Sequence, residues 1–435
     1  MMNGAFFLML PVLFQAMPGP GRVLTLAQAT EQAAQSQPLL RQARAQTSAA
    51  FARADQARAP LLPQITGTAN YSRSTANFAA RPGALPTNQT TSGARSSFDT
   101  FDYWNFGLNA SQVIYEFGQT RGRWRAAEAS AEGQAQTERA TRQDTVLSVR
   151  TAFFRARAER ALVSVAKDTL DNQDRHLKQI QGFVELGARP AIDLAQSRTE
   201  VANAKVSVIT AENAYATAKA QLNQAMGIAA PLDYEVAPDT LAPVEGEDQP
   251  TDALVQIALT SRPELVAAKK QIQAQEQLLR SARGNYAPTL SASTGVTDAG
   301  RSLDNLTWNW NAGVQITWPL FQGLAVPAQV REAEANIAVA KAQRDGEEQQ
   351  LRLEVEQARL AVRAAKASIL AVEEAVQNAR ERLRLAEGRY QTGVGNAIEL
   401  GDAQNAKSTS EGERVRADYD LATARAQLLR ALGRD

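Results

Sequence analysis

The sequence repeats itself once, and this duplication limits the folds that the chain can adopt. Identical residues recur at two fixed distances along the 435 residues. Pairs 225 positions apart are Pro38 with Pro263 and Pro63 with Pro288, and pairs 206 positions apart are Trp104 with Trp310, Gly187 with Gly393 and Gly227 with Gly433. The difference of 19 residues corresponds to a longer Ser/Thr/Gly-rich loop, around residues 72–102, in the first copy. A unit of about 200 residues is far longer than a solenoid repeat, so we expect two copies of one half-protein.

Composition excludes several classes of function. The chain has 47 Lys+Arg and 46 Asp+Glu, a net charge of +1, without the basic excess of nucleic-acid-binding proteins. It has no cysteine and one histidine, His176, which leaves no basis for thiol catalysis, a His-based metal site or a Ser-His-Asp triad. No GxxxxGK(S/T) motif for ATP occurs. We therefore predict no enzymatic activity, cofactor, metal or nucleic-acid partner, and we place His176 on a helix surface.

An apolar run near the N-terminus predicts a signal peptide over residues 1–21. The run extends from Ala5 to Ala16, which is too short to span a bilayer as a helix and suits a signal-peptide core. No Lys or Arg precedes Arg22, so a mis-assigned start codon is the alternative. No later segment reaches about 18 consecutive apolar residues, so any membrane span has to be made of strands.

Each half shows the same order of elements: a short helix, a second helix, a strand, a loop, a strand, a very long helix, a turn and a long helix. We predict a first repeat over residues 22–226, a linker and equatorial region over residues 227–250, and a second repeat over residues 251–435. The predicted strands are 62–72, 103–115, 288–297 and 307–320. The predicted long helices are 118–186, 190–226, 324–392 and 396–432.

The predicted strands alternate apolar with uncharged polar residues. In the last strand the apolar residues are Trp308, Trp310, Ala312, Val314, Ile316 and Trp318, and the polar or small ones between them are Asn309, Asn311, Gly313, Gln315 and Thr317. This period of two fits either one face of a soluble sandwich or a membrane strand with lipid outside and water inside. Strand lengths near the 9–11 residues of a membrane span favour the second interpretation.

Tryptophan also favours a membrane, because it prefers the level of the lipid headgroups. The predicted membrane-interface aromatics are Trp104, Trp308, Trp310 and Trp318. Four strands cannot close a barrel, since small barrels need about eight. A barrel would therefore require several chains.

The two longest predicted helices carry a seven-residue apolar repeat. Its positions are Val149, Ala156, Val163, Leu170, Leu177 and Val184 in the first half and Val355, Val362, Ile369, Val376, Leu383 and Tyr390 in the second. Such a repeat predicts coiled-coil packing, and at about 1.5 Å per residue each helix would be roughly 100 Å long. An ordinary antiparallel coiled coil has the same periodicity but does not explain the strand pair in each half.

A strand pair followed by helices long enough to cross a periplasm, all duplicated, resembles the TolC-type outer-membrane efflux channels. The most specific local marks are Ala57 to Pro63 (ARAPLLP) and Tyr390 to Gly393 (YQTG). The resemblance implies a mixed fold, in which an all-α coiled-coil part continues a transmembrane β-barrel. It implies a homotrimer with a 12-stranded barrel and a 12-helix tunnel, in the outer membrane of a Gram-negative bacterium and extending into the periplasm. The implied partners are a periplasmic adaptor, an inner-membrane RND or ABC-type transporter and outer-membrane lipid.

The turns between the paired long helices are the tip at which, by the resemblance, adaptors dock and the tunnel narrows. The tip residues are Leu186, Gly187 and Ala188 of the first turn and Thr392, Gly393 and Val394 of the second. Glycine after a helix favours a left-handed cap. A plain helix-hairpin turn is an interpretation compatible with this one.

Acidic residues follow both turns, and the resemblance assigns them to a pore constriction. The constriction set is Glu399, Asp402, Asp193 and Tyr390. In a trimer the acids would form stacked rings that attract cations. Glu399 is also the third helical position of a capping-box pattern that begins at Asn396, and both interpretations stay open.

The leading hypothesis is the passive outer-membrane channel of a tripartite efflux or type I secretion system. The alternative is a periplasmic coiled-coil structural or adaptor protein without a membrane span. One departure from the family concerns the tip: Gly395 stands where the resemblance implies an arginine that locks the closed state. Arg189 of the first turn is a candidate substitute donor.

Overall fold

The structure is a computed structural model that describes residues 22–75 and 98–434. The predicted signal peptide, residues 1–21, and most of the long first loop lie outside the described residues. The first half contains β1 (Arg22–Leu24), α1 (Leu26–Ser36), α2 (Pro38–Arg58), a short 3-10 helix (Ala59–Leu61), β2 (Gln64–Thr75), β3 (Thr100–Tyr115), α3 (Gln119–Glu185) and α4 (Ala191–Met226). The remaining elements are β4 (Tyr234–Val236), α5 (Thr251–Ser261), α6 (Pro263–Gly284), β5 (Thr289–Gly300), β6 (Thr307–Thr317), α7 (Ala325–Gln391) and α8 (Ala397–Ala431).

The four long helices end where the capping residues predict. Asn396 caps α8, and Gly227 ends α4 in the left-handed conformation with φ of 72°. The observed bounds lie within one residue of the predicted 118–186, 190–226, 324–392 and 396–432, because the predicted ranges included cap positions such as Pro190. All twelve positions of the predicted apolar stripes are buried or half-buried. Within the described residues, no helix has both the length and the apolar character needed to cross a membrane.

The chain divides into two compact units, and this division does not follow the two predicted repeats. The first unit contains residues up to 46, 135–266 and 345 onward, and the second contains residues 47–134 and 267–344. The second unit contains the four longer strands and the helix ends beside them, and the first unit contains the rest of the helices. Each unit therefore includes segments from both halves of the sequence.

The first unit has two large hydrophobic cores and an ordered connection between the halves. One core is built around Val149, Phe153 and Leu222, and the other around Val355 and Leu428, all fully buried. Residues 227–250, predicted as a linker, contain β4, which pairs in parallel with β1. Within this connection the buried carboxylate of Glu247 contacts Arg425 at 3.0 Å.

The second unit contains an antiparallel sheet in the order β2-β3-β5-β6. Residues directly opposite each other in such a sheet point to the same face. The register therefore places on one face Ile65, Ala69 and Tyr71 of β2, Trp104, Phe106, Leu108 and Ala110 of β3, Leu290, Ala292 and Val296 of β5, and Trp308, Trp310, Val314 and Ile316 of β6. We call this the apolar face. The opposite face carries Thr66, Thr68, Asn70, Asn105, Asn109, Ser291, Ser293, Asn309, Asn311 and Gln315. The charged exceptions on the apolar face, Arg73, Asp102 and Asp298, lie at the loop ends of their strands.

The strand bounds differ more from the predicted 62–72, 103–115, 288–297 and 307–320. β2 begins at Gln64, after the 3-10 helix and Pro63, and β6 ends at Thr317, before Pro319, because proline cannot donate to a sheet. Trp318, predicted inside the last strand, therefore follows it. β2, β3 and β5 each extend three residues further toward the loops than predicted.

Candidate functional site

The two turns between the long helices have the same backbone conformation. Gly187 and Gly393 have φ of 70° and 81°, in the left-handed region that glycine adopts at low cost. The N–H of Ala188 donates to the carbonyl of Phe183 at 2.8 Å, and the N–H of Val394 donates to the carbonyl of Arg389 at 3.0 Å. These bonds satisfy carbonyls that a helix end otherwise leaves without a partner.

The predicted tip residues are all exposed: Leu186, Gly187, Ala188, Thr392, Gly393 and Val394. The exposed side chains include large apolar ones, since Leu186 is 83% exposed and Val394 73% exposed. Ile192 and Ile398, in the first turns of α4 and α8, are 70% and 60% exposed. Four large apolar side chains at helix ends make an apolar surface of the kind that partner proteins cover.

Tyr390 is the aromatic residue at the centre of the tip. Its side chain is only 3% exposed and packs in a cluster with Ile180, Leu383 and Leu400, with the Phe183 ring 6.5 Å away. Its hydroxyl has no hydrogen-bond partner among the described residues. Burial raises the pKa of the Tyr390 hydroxyl, nearby Arg189 opposes this, and Asp193 adds to it. Tyr390 therefore contributes an apolar ring and a neutral, unpartnered hydroxyl.

Arg189 connects the first turn to the second. Its Nη2 donates to the carbonyl of Tyr390 at 3.2 Å and to the carbonyl of Gly395 at 3.1 Å. Its guanidinium also lies 4.5 Å from the centre of the Tyr390 ring, a cation–π geometry. The candidate substitute donor thus contacts Gly395, the position at which the resemblance implies an arginine. A Cβ on Gly395 would lie 3.0 Å from the backbone nitrogen of Tyr390, so a side chain here would require the neighbouring backbone to shift by a few tenths of an ångström.

The three predicted acidic residues have different surroundings. Asn396 accepts a hydrogen bond from the backbone N–H of Glu399 at 2.7 Å, as the capping pattern predicts. The Glu399 carboxylate, however, lies 3.2 Å from Arg389 Nε rather than bonding back to Asn396. Asp193 is half-buried in the first turn of α4, and Asp402 is exposed, with no ion pair to any other described residue. Both interpretations of Glu399 therefore remain compatible with its position.

Sequence reasoning missed Arg389 and placed His176 wrongly. Arg389 lies two residues before the last residue of α7 and Glu399 two residues after the first residue of α8, and these opposite charges on the two sides of the turn were the available signal. His176 was predicted on the surface, but its side chain is 13% exposed, and Nε2 lies 3.5 Å from Oε1 of Glu387. Burial lowers the pKa of His176, and Glu387 partly opposes this. The prediction failed because helical periodicity alone does not say which faces of α3 another helix covers.

The predicted interface tryptophans lie at two levels of the second unit. Trp104, Trp308 and Trp310 share the apolar face near the loop ends of their strands, and Trp104 packs 4.5 Å from the Tyr71 ring. Trp318 follows the other end of β6, where its Nε1 donates to the carbonyl of Tyr286 at 3.1 Å. Two aromatic levels separated by a strand length are typical of membrane-interface belts.

Known proteins resemble this chain in both sequence and structure. The chain is 26% identical over 426 residues to outer membrane protein TolC of Escherichia coli K12, covering 94% of this chain and 82% of that protein. It is 24% identical to the probable efflux pump outer membrane protein TtgC of Pseudomonas putida, covering 86% and 76%. Among solved structures, VceC of Vibrio cholerae has a TM-score of 0.80 at 21% identity, covering 94% and 96%, and CmeC of Campylobacter jejuni has 0.80 at 19%, covering 94% and 85%.

These relatives are outer-membrane proteins, which argues against the alternative of a periplasmic protein without a membrane span. The predicted outer-membrane location is therefore confirmed. Residues 29–228 and 254–434 match the family described as outer membrane efflux protein. Because these matches extend over most of the sequence, the chain belongs to the outer membrane efflux protein family.

Proposed function

We propose that three copies of this chain form a passive exit channel that completes a tripartite exporter with a periplasmic adaptor and an inner-membrane RND or ABC-type pump. The observation that carries the proposal is the four-stranded sheet. One of its faces is apolar and the other is polar and uncharged, which suits contact with lipid outside and water inside. Family membership supports the efflux role.

The sheet edges support assembly from several copies. β2 and β6 are the outer strands, and each has a partner on one side only within the described residues. An unpaired strand edge in a bilayer leaves backbone N–H and C=O groups without partners, at a cost of several kcal/mol per group. Pairing β2 of one copy with β6 of the next removes both edges, and three copies give twelve strands.

The two turns form the gate of this channel. Their exposed apolar residues dock the adaptor, and the acidic residues Asp193, Glu399 and Asp402 face the narrow end of the tunnel. Rings of carboxylates favour cations over anions at a constriction. Arg189 holds the closed state by joining its own turn to the backbone of the second turn.

Ion selectivity in planar bilayers tests the channel and the acidic rings together. We expect the purified protein to conduct ions and its reversal potential under a salt gradient to show a preference for cations. In the double variant Glu399→Ala with Asp402→Ala this preference falls sharply. The matched control, Glu373→Ala with Glu374→Ala, removes the same charge from exposed positions of α7 away from the turn and leaves the reversal potential unchanged. A protein that never conducts would contradict the channel, and equal shifts in both double variants would contradict the rings.

A further inference from the structure

A basic groove lies in the second unit, where α3 begins and α6 ends. It has a volume of about 590 Å³. Four arginines line it, namely Arg121 and Arg125 of α3, Arg280 of α6 and Arg283 of α6. No Asp or Glu lines the groove. In a chain whose net charge is only +1, this is a marked local separation of charge.

Most of this positive charge is not engaged in ion pairs within the part of the chain that the structure describes. Arg283 pairs with Glu334 at 2.9 Å, but Arg121, Arg125 and Arg280 make no ion pair with any other described residue. Two acids of the same unit are engaged with other residues. Glu116 accepts a hydrogen bond from the Thr120 hydroxyl at 2.8 Å, and Glu132 pairs with Lys270 at 2.6 Å.

The floor of the groove is formed by close packing of two helices. A Cβ on Gly122 would lie 2.8 Å from the carbonyl oxygen of Gln277, and a Cβ on Gly284 would lie 2.9 Å from the Gln119 side chain. The Ser281 hydroxyl donates to the carbonyl of Gln119 at 2.7 Å across the same contact. The glycines thus let the helices approach, and the arginines of both helices project into one space.

The groove is continuous with the apolar face of the sheet. Tyr115 lies opposite Leu290 in the register of β3 and β5, so it points to the apolar face. The Phe117 ring contacts the Tyr115 ring edge-on, with centres 4.7 Å apart, and Phe117 lines the groove. A molecule that occupies the groove therefore reaches both the arginines and the apolar face.

We propose that this groove binds the phosphate headgroup of an anionic glycerophospholipid from the inner leaflet of the outer membrane, with the acyl chains against the apolar face. Guanidinium groups bind phosphate through paired N–H donors, and an aromatic pair between headgroup and chains is typical of the interface. The inner leaflet is the source because the groove adjoins the strand ends from which the long helices start. The inference rests on the proposed lipid contact of the apolar face but does not require conduction.

Lipid retention by the purified full-length protein tests the proposal. The protein in detergent is mixed with phosphatidylglycerol, phosphatidylcholine, lipopolysaccharide or glycerol phosphate, and bound molecules are counted by native mass spectrometry. We expect phosphatidylglycerol to be retained about tenfold or more over phosphatidylcholine, and this ratio to collapse in the triple variant Arg121→Gln, Arg125→Gln and Arg280→Gln. The control triple, Arg53→Gln, Arg123→Gln and Arg331→Gln, removes the same charge from exposed positions outside the groove and keeps the ratio.

Each other outcome would overturn a stated part of the proposal. Equal loss in both triple variants would mean that overall charge, not the groove, attracts the lipid. Preference for lipopolysaccharide would overturn the inner-leaflet source, and equal binding of free glycerol phosphate would overturn the role of the apolar face. An unchanged circular dichroism melting profile in both triples keeps loss of folding apart from loss of binding. Normal lipid retention by a protein that does not conduct would leave this site standing while the channel proposal fails.

Discussion

The two helix turns have matching backbones but different side chains, and this difference shows how the tip is held together. Gly187 and Gly393 stand 206 positions apart with similar positive φ. At the same distance, Arg189 of the first turn corresponds to Gly395 of the second, and Arg189 donates to the Gly395 carbonyl. The first turn therefore acts as the donor and the second as the acceptor. One side-chain difference between equivalent positions is enough to connect two turns that the backbone leaves alike.

The largest effect is expected from removing the Tyr390 ring, which has no counterpart at the equivalent position of the first half, Val184. Tyr390→Ala removes a side chain that is 3% exposed and should cost about 3–5 kcal/mol in local stability. Val184, the equivalent position in the first half, is half-buried, and Val184→Ala should cost only about 1 kcal/mol. Hydrogen exchange of peptides across each turn measures both free energies of opening.

Tyr390→Phe is the control that separates the ring from the hydroxyl. Since the hydroxyl has no partner among the described residues, we expect a change of less than about 0.5 kcal/mol. If Tyr390→Phe destabilised the turn as much as Tyr390→Ala, the hydroxyl would have to form a hydrogen bond in the assembled protein. Such a bond is what the resemblance implies for a tip that is locked in the closed state.

The second prediction breaks the donor–acceptor link itself. Arg189→Ala removes two hydrogen bonds from a charged donor and should lower the free energy of opening of both turns by about 2–3 kcal/mol. Under the proposed function it should also raise single-channel conductance. Arg198→Ala, at an exposed position of α4, is the matched control and should change neither quantity. Faster exchange in the first turn alone would mean that Arg189 does not connect the two turns.

The helical part of the fold was largely predictable, because its signals are local. Pro190, Asn396 and Gly227 mark helix ends in the sequence itself, and the seven-residue apolar repeat identified the buried side of α3 and α7. The strand faces were also predicted, since a period of two fixes them once the register is set. Strand ends were less accurate, because pairing with a neighbouring strand extends them beyond the apolar pattern.

The contacts within the tip were only partly predictable. The Arg189 bond to backbone carbonyls depends on how two hairpins pack, which no local pattern encodes. The ion pair of Arg389 with Glu399 lies within the second hairpin and depends on how its turn folds. The predicted surface position of His176 was wrong for the same reason, since another helix covers that face of α3. The division into units was also missed, since it depends on which segments of α3 and α7 pack with the strands.

The third prediction tests whether the two turns really share a backbone. Gly187→Ala and Gly393→Ala each place a Cβ at positive φ with no atom within 4 Å, so conformational strain alone should cost about 1–2 kcal/mol at both positions. Gly182 and Gly388, also 206 positions apart, lie inside helices with open space around them. Substituting alanine there should stabilise by about 0.5–1 kcal/mol. A large difference between Gly187→Ala and Gly393→Ala in hydrogen exchange would show that the turns are not equivalent.

The smallest effect is expected at a position where the first half has a histidine and the second half an arginine. His176 corresponds to Arg382, which is exposed and lies 206 positions further along the chain. The pKa of folded His176 is lowered from 6.5, chiefly by burial, while Glu387 raises it and Arg175 lowers it. The unfolded chain therefore binds the proton more readily than the folded one. It follows that stability from the neutral imidazole is present above about pH 6.5 and is lost as the pH falls through the folded pKa.

Hydrogen exchange of the α3 segment around His176, measured between pH 7.5 and 5.5 and corrected for intrinsic exchange, should therefore show opening that becomes easier as the pH falls. His176→Gln should remove this slope, because the amide does not titrate, whereas Arg382→Gln should leave it intact. A slope that survives in His176→Gln would contradict the assignment of this pH response to His176.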